Sequence, residues 1–249
     1  MSKESTSWYS DRIERDINLV RWGEVGTPVL IFPTADGDAE ECERFLMIDA
    51  LAPLLEAGRI KLYSVDSIAG DAWLKRDNTT DAAARLQNAF DSAIYHEVVP
   101  AIRTDCNDPD AEILVTGASI GAFNALAAIC RHPDVFSKAI CMSGTYDMSK
   151  FIEGEVTGDY FVSSPLHFLP KLEEDGALLA GLRKRSILLA HGDGRWEEPA
   201  QSWRTAEALG AREIPNRVDA WGEDYDHDWP TWRQMLPKYL EEVLESPGQ

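Results

Sequence analysis

The stretch that decides the fold is Glu112–Gly121 followed by Ala122–Cys130, EILVT-GASIG-AFNALAAIC, in which a short apolar run gives way through Gly117, Ala118, Ser119, Ile120 and Gly121 to a longer apolar segment of small residues. The first run reads as a buried strand and the second as a helix, with the two glycines leaving room for both to pack closely around the serine. A serine at such a turn is expected to have a strained backbone and to point its hydroxyl out of the fold. The helix N-terminus behind it offers free N–H groups to a developing negative charge.

Strand and helix patterns alternate on both sides of this turn. Ile17–Trp22 and Pro28–Phe32 read as strands, Ala39–Ala57 as one amphipathic helix ending at Gly58, Ile60–Val65 as a strand and Thr80–Arg103 as a long helix with Leu86, Phe90, Ile94 and Val98 on one face. Lys138–Met142, Ser186–Ala190 and Val218–Trp221 continue the strands, with helices over Glu198–Leu209 and Pro230–Leu244. Such alternation predicts an α/β fold, a mostly parallel central sheet with helices on both faces. The aromatic-rich segment 148–170 breaks the rhythm and is expected to be a short cap insertion, since loops of this length in a compact domain tend to be functional. With no repeat or boundary in view, residues 1–249 are expected to form a single domain.

Composition sets the outer limits. The chain has 249 residues, 44% of them hydrophobic, and 24 basic against 43 acidic side chains give a formal charge of -19. That charge disfavours nucleic acid and anionic membrane surfaces by Coulomb repulsion. The opening Met1–Ser10 is polar and lacks the apolar core of a signal sequence, and no stretch approaches the ~18 apolar residues of a membrane span. Cys42, Cys106, Cys130 and Cys141 show no CxxC spacing, so no zinc site is expected and a cytoplasmic protein with reduced thiols is.

A serine hydroxyl needs a base, and the base an orienting carboxylate. Among the histidines, His96 and His132 fall on helices, His167 in the expected cap, and His191 at a strand end before Gly192. His227 lies between the last strand and the last helix, with Asp228 placed to cap that helix and Pro230 in its first turn. In an α/β-hydrolase that connection carries the catalytic histidine, and the order serine, acid, histidine is the order the fold imposes. The acid is then expected in His191–Pro199, which offers Asp193, Glu197 and Glu198. Spacing after the strand favours Asp193, although Gly192 and Gly194 also make it look like a turn residue. The oxyanion hole would take one N–H from Ile120 and one from Thr34 or Ala35 in the loop Phe32–Asp38, since Pro33 has none.

Metal readings fail on spacing. An EF-hand starting at Asp224 would need Gly and Glu where Trp229 and Met235 stand, and Asp224, Asp226 and Asp228 have no second histidine at ligand distance in sequence. No cofactor is implied.

The elbow Gly117–Gly121, the loop Phe32–Asp38 and the block His227, Asp228, Trp229, Pro230, Thr231, Trp232, Arg233 together resemble the esterase family that includes esterase D, the enterochelin esterases and the mycolyltransferases, all α/β-hydrolases. The histidine block is the most specific part of the resemblance. In several relatives the acid is a glutamate slightly later than the usual aspartate; Glu197 precedes His227 by 30 positions and Asp193 by 34, so the resemblance points to Glu197 with Asp193 as the alternative. It implies a carboxylesterase working through Ser119, His227 and Glu197 on a small-molecule ester. From residue type alone, Trp196 and Trp229 are candidate substrate contacts, beside Trp73, Tyr160 and Phe161, with core packing the alternative role for such aromatics. An acyltransferase of the same fold is the alternative reading, and a non-catalytic binding protein a third. Secreted acyl-transferring relatives carry signal sequences, which Met1–Ser10 does not resemble.

Overall fold

The computed structural model describes residues 2–68, 70–74, 80–151 and 158–245. Eight strands make one sheet: β1 (Lys3–Ser10), β2 (Arg15–Trp22), β3 (Thr27–Phe32), β4 (Ile60–Val65), β5 (Ile113–Ala118), β6 (Phe136–Met142), β7 (Ser186–His191) and β8 (Asn216–Ala220), in the order β1-β2-β4-β3-β5-β6-β7-β8. The β1–β2 and β2–β4 pairs are antiparallel and all later pairs parallel. The helices are α1 (Glu41–Arg44), α2 (Met47–Glu56), α3 (Thr80–Ala93), α4 (Val99–Asp105), α5 (Ile120–Arg131), α6 (Gly158–Ser163), α7 (Pro165–Phe168), α8 (Ala177–Leu182), α9 (Pro199–Gly210) and α10 (Trp229–Glu245).

Alternation along the central strands divides the core in two. In β3, Leu30 and Phe32 join a cluster that contains Phe90 of α3 and Phe123 of α5, while Val29 and Ile31 join a second with Leu51 of α2 and Leu236 of α10. Both faces of the sheet are therefore covered, which is why β4 and β5 are buried along their whole length, the one charge among them, Lys61, being paired with Asp105 at 2.6 Å. Helix α5 is buried from Ile120 through Cys130. Four alanines and Gly121 give it the small side chains that let strands approach, and its one buried polar residue, Asn124, accepts from Gln87 at 2.9 Å.

Three elements differ from the sequence expectation, each for a local reason. Strand β1 carries no apolar alternation because it is an exposed edge, held by its ladder to β2 and by pairs such as Arg21–Glu4 and Lys3–Glu40. Its charges also discourage edge-to-edge pairing. The single helix expected over Ala39–Ala57 is two, α1 and α2, broken at Leu46 with φ 61°, where Phe45 stacks on Trp229 and its carbonyl accepts from Arg233. The long helix expected over Thr80–Arg103 contains a widened turn at Ile94–Val98, directly ahead of Pro100, which has no N–H for the carbonyl four residues back. Within 148–170 the described parts are a turn at Met148–Phe151 and the short helices α6 and α7, continued by Leu169–Lys171; residues 152–157 of the expected cap lie outside the described residues.

The backbones of helix α5 and the loop after β3 meet closely at Gly121, where a Cβ would fall 2.3 Å from the Phe32 carbonyl oxygen and 2.7 Å from that of Pro33. Gly121→Ala is expected to lower unfolding free energy by about 1–3 kcal/mol, the typical cost of overpacking against atoms that cannot rotate away. Gly158→Ala, where a Cβ meets nothing within 4 Å, should stay within about 0.5 kcal/mol of the parent. Denaturant titration of both variants provides the check.

Candidate active site

Ser119 joins β5 to α5 with φ 56° and ψ -122°, a conformation that L-residues adopt only under constraint. The constraint is visible on every side. Its N–H donates to the Met142 carbonyl at 3.0 Å and its carbonyl accepts from Ala122 and Thr145, both at 3.2 Å. A Cβ on Gly117 would lie 2.4 Å from the Gly121 carbonyl. The two glycines of the motif are thus required by the approach of strand, helix and the β3 loop to one another. Among the described residues no hydrogen bond holds the Ser119 hydroxyl, and the Ile120 N–H at the start of α5 has no acceptor.

In the loop after β3 the Thr34 and Ala35 amides differ. Thr34 N–H donates to Glu41 Oε2 at 2.7 Å, so it is occupied. The Ala35 N–H has no acceptor among the described residues. Gly70, beyond β4, leaves space that the Ala35 carbonyl fills: a Cβ there would be 2.5 Å from that oxygen.

The loops after β7 and β8 interlock. A Cβ on Gly192 would lie 1.8 Å from the Tyr225 carbonyl, and one on Gly194 would meet Asp226 Oδ1 at 2.4 Å. Asp193 N–H donates to Gly222, Gly194 N–H to Tyr225, and His227 N–H to Arg195 at 3.0 Å. Asp226 accepts the Arg195 N–H at 2.7 Å and two guanidinium N–H groups at 2.9 and 2.6 Å. That guanidinium holds the Asp226 carboxyl below the usual carboxylate range. Asp226 is therefore committed to Arg195, and Asp228 to the Trp229 N–H at the head of α10. Among the described residues no three His, Cys, Asp or Glu side chains gather as metal ligands.

This interlock brings His227 and Glu197 together. Glu197 Oε2 is 3.8 Å from His227 Nδ1, and the Glu197 side chain is only 1% exposed. The preceding residue, Trp196, takes φ 62° to turn Glu197 inward and is itself 74% exposed. Asp193 faces elsewhere, with Oδ1 at 3.4 Å from His191 Nδ1. The 3.8 Å separation is longer than a hydrogen bond, and His227 Nδ1 is buried without a partner. Trp232 braces the imidazole edge-on at 5.2 Å between ring centres.

The residue that sequence reading missed here is Ser143, directly after β6, with φ 47°. Its hydroxyl donates to Glu197 Oε1 at 2.6 Å and accepts from Trp232 Nε1 at 2.9 Å. One carboxylate oxygen is thus fixed by Ser143 and the other left toward His227. The only sequence signal was its place at the carboxyl end of a core strand.

A cavity of about 210 Å³ opens beside His227, lined by Ser143, Gly144, Thr145, Trp196 and Glu198. Trp196 belongs to it. Trp229 does not: it is buried, stacked on Phe45 at 4.8 Å, and lines a separate void of about 10 Å³ behind the β3 loop. Trp73 and Tyr160 meet edge-to-face at 6.0 Å, and Phe161 stands near His167. Two of the other histidines have partners of their own, His132 with Asp91 at 2.9 Å and His167 with Ser164 at 2.9 Å. Burial pushes the Cys42 and Cys141 thiols up to about 12 and raises Cys130 as well, which keeps all three protonated and inert.

Sheet order, elbow and the four loops at one sheet edge define an α/β-hydrolase. The sequence matches the family described as Putative esterase over residues 40–243, and the chain belongs to that family, with a hydrolase role of the esterase kind. Among solved structures it is similar to a ferulic acid esterase (17% identity, 98% of each chain, TM-score 0.72). It is likewise similar to an S-formylglutathione hydrolase from Agrobacterium tumefaciens (13% identity, 98% of this chain and 94% of that one, TM-score 0.70). The enterobactin esterase of Shigella flexneri matches at 20% identity over 98% of this chain and 59% of that one, with TM-score 0.64. No curated protein matches by sequence. Among the described residues no helix is long and apolar enough to cross a membrane.

The Ser143 bridge yields a stability test. Ser143→Ala leaves both Glu197 Oε1 and Trp232 Nε1 buried and unpaired, for an expected loss of about 1–3 kcal/mol. Trp232→Phe keeps the Ser143–Glu197 bond while opening packing space, and its loss of only one neutral hydrogen bond should cost about 1 kcal/mol beyond the packing change. Thermal and urea unfolding of the two variants would measure this.

Proposed function

We propose that the chain is a serine carboxylesterase in which Ser119 is the nucleophile, His227 the base and Glu197 the orienting acid. The observation that carries this reading is the buried Glu197 3.8 Å from the cavity-lining His227 Nδ1, supported by a strained Ser119 whose carbonyl accepts from Thr145 of the same cavity wall at 3.2 Å. With Nδ1–H turned to Glu197, the imidazole presents Nε2 to the serine. Closure by about 1 Å makes the Glu197 contact a hydrogen bond, a tightening that catalytic groups commonly show once substrate is bound.

Ser119 Oγ attacks the ester carbonyl carbon while His227 Nε2 takes its proton. The Ile120 and Ala35 N–H groups hold the tetrahedral oxyanion; Thr34, whose amide serves Glu41, does not. Collapse expels the alkoxide, which receives the proton from His227, and leaves the acyl group on Ser119. Water, deprotonated by the same imidazole, then releases the acid and restores the serine.

The cavity of about 210 Å³ is smaller than the ~300–1,000 Å³ of drug-sized ligand sites, so a small ester is the substrate class it suits. Trp196 forms its exposed wall, and the described segments 148–151 and 158–170 are assigned as a cap within a single domain. The aromatic acyl group named for the ferulic acid esterase neighbour makes phenolic esters the first compounds to try. Free cysteines at all four positions support a reducing, cytoplasmic setting.

A fluorophosphonate probe is expected to label the wild type at Ser119 and to leave Ser119→Ala unlabelled; labelling of the alanine variant at the parent rate would remove Ser119 from the mechanism. For the acid, Glu197→Gln should lower kcat by about 10⁴ through loss of the imidazole's orientation, as in a comparable triad. Asp193→Asn should leave kcat essentially unchanged. The reverse ranking in nitrophenyl ester assays would transfer the role to Asp193.

A further inference from the structure

The chain has a second buried carboxylate near this site, and the triad does not use it. Glu41 is 5% exposed at the start of α1. Its two oxygens are spent on one residue, with Oε2 accepting the Thr34 N–H at 2.7 Å and Oε1 the Thr34 hydroxyl. Burial pushes its carboxyl above the usual range, the two Thr34 donors pulling the other way. An apolar side chain would fill the same volume without that desolvation cost, so the contact calls for a reason beyond packing.

The loop is closed around this carboxylate. A Cβ on Gly37 would lie 2.5 Å from the Glu41 carboxyl carbon and 2.6 Å from Pro33 Cβ, and Gly37 N–H returns to the Thr34 carbonyl at 3.1 Å. Asp66 takes the Ala39 N–H at 3.0 Å from the other side. Pro33 has no N–H and a fixed φ, and its carbonyl rests on Gly121. With Thr34 held at both its amide and its hydroxyl, the next amide in the chain, Ala35 N–H, is the first one free.

We infer that Glu41 is a positioning residue for the oxyanion hole: by clamping Thr34 it fixes the peptide plane that presents the Ala35 N–H to the reacting carbonyl. This rests on the assignment of Ser119 and Ala35 above. Glu41 touches no substrate atom. Its effect must then appear in the tetrahedral state and not in ground-state binding, because the oxyanion is the species the Ala35 N–H meets.

The test compares Glu41→Leu with Glu41→Gln, measuring kcat, KM and the affinity for an alkyl trifluoromethyl ketone, which adds to a nucleophilic serine to form a tetrahedral oxyanion. Glu41→Leu strands the Thr34 N–H; kcat is expected to fall about 10²-fold, the scale of losing one oxyanion donor, with KM changed less than about threefold. Affinity for the ketone should weaken by the same factor. In Glu41→Gln the amide oxygen accepts from Thr34 N–H and the amide nitrogen donates to the Thr34 hydroxyl oxygen, so both readouts should recover to within about fivefold of the parent, the difference between a neutral and a charge-assisted pair.

A folded Glu41→Leu with parent kcat, or one that loses kcat while binding the ketone as tightly as the parent, would overturn the inference. Should the leucine variant fail to fold, Thr34→Val removes the hydroxyl half of the clamp and is expected to lower kcat and ketone affinity about tenfold, the worth of one hydrogen bond, with Thr34→Ser restoring both. Parent behaviour of Thr34→Val would count equally against it. A wild type that neither turns over esters nor binds the ketone would fail the Ser119 reading itself, whereas tight binding by the wild type and Glu41→Leu alike would fail only the role given to Glu41.

Discussion

The contact between Gly121 and the carbonyls of Phe32 and Pro33 is the constraint on which the site depends. It is a backbone-on-backbone approach at a position where any side chain would collide. Because of it, the first turn of α5 and the loop leaving β3 hold a fixed relation, and the Ile120 and Ala35 amides belong to one rigid unit. The left-handed φ of Ser119 is its geometric consequence, since the chain must reverse from strand to helix within that space. Burial of α5 from Ile120 to Cys130 supplies the packing free energy that keeps such a strained turn in place.

The other half of the site rests on a different approach, that of Gly192 and Gly194 to Tyr225 and Asp226. Here two loops from neighbouring parallel strands are locked by backbone bonds and by the Arg195–Asp226 pair. The lock determines which carboxylate turns inward. Glu197 is driven under the surface by the left-handed Trp196, and the Ser143 hydroxyl takes one of its oxygens. Asp193, flanked by the glycines that permit the interlock, is left facing His191. Both halves of the site therefore use glycine for closeness and one strained non-glycine residue for direction.

Much of this was legible from sequence, and what was not has a physical explanation. The central strands announce themselves because parallel strands covered on both faces must be apolar throughout, and GASIG is legible because its glycines and serine serve a local turn. Strand β1 was hidden because an edge strand exposed on both faces carries no apolar period. The break at Leu46 and the widened turn before Pro100 were missed because tertiary contacts and a missing donor overrode a good helical pattern. Spacing alone favours Asp193 and does not show which carboxylate turns inward, since the loop's direction is set by Tyr225 some thirty residues away. The Glu41–Thr34 and Ser143–Trp232 contacts likewise join residues whose relation exists only once the sheet has formed.

The central claim is that Ser119 and the two amides Ile120 N–H and Ala35 N–H form one preorganised acyl-transfer site. A crystal structure of the protein after reaction with a fluorophosphonate tests it most directly. The account predicts a bond from Ser119 Oγ to phosphorus, with one phosphoryl oxygen about 2.7–3.1 Å from both amide nitrogens, the distance an oxyanion donor requires. A phosphoryl oxygen turned to solvent, or held by neither amide, would contradict it.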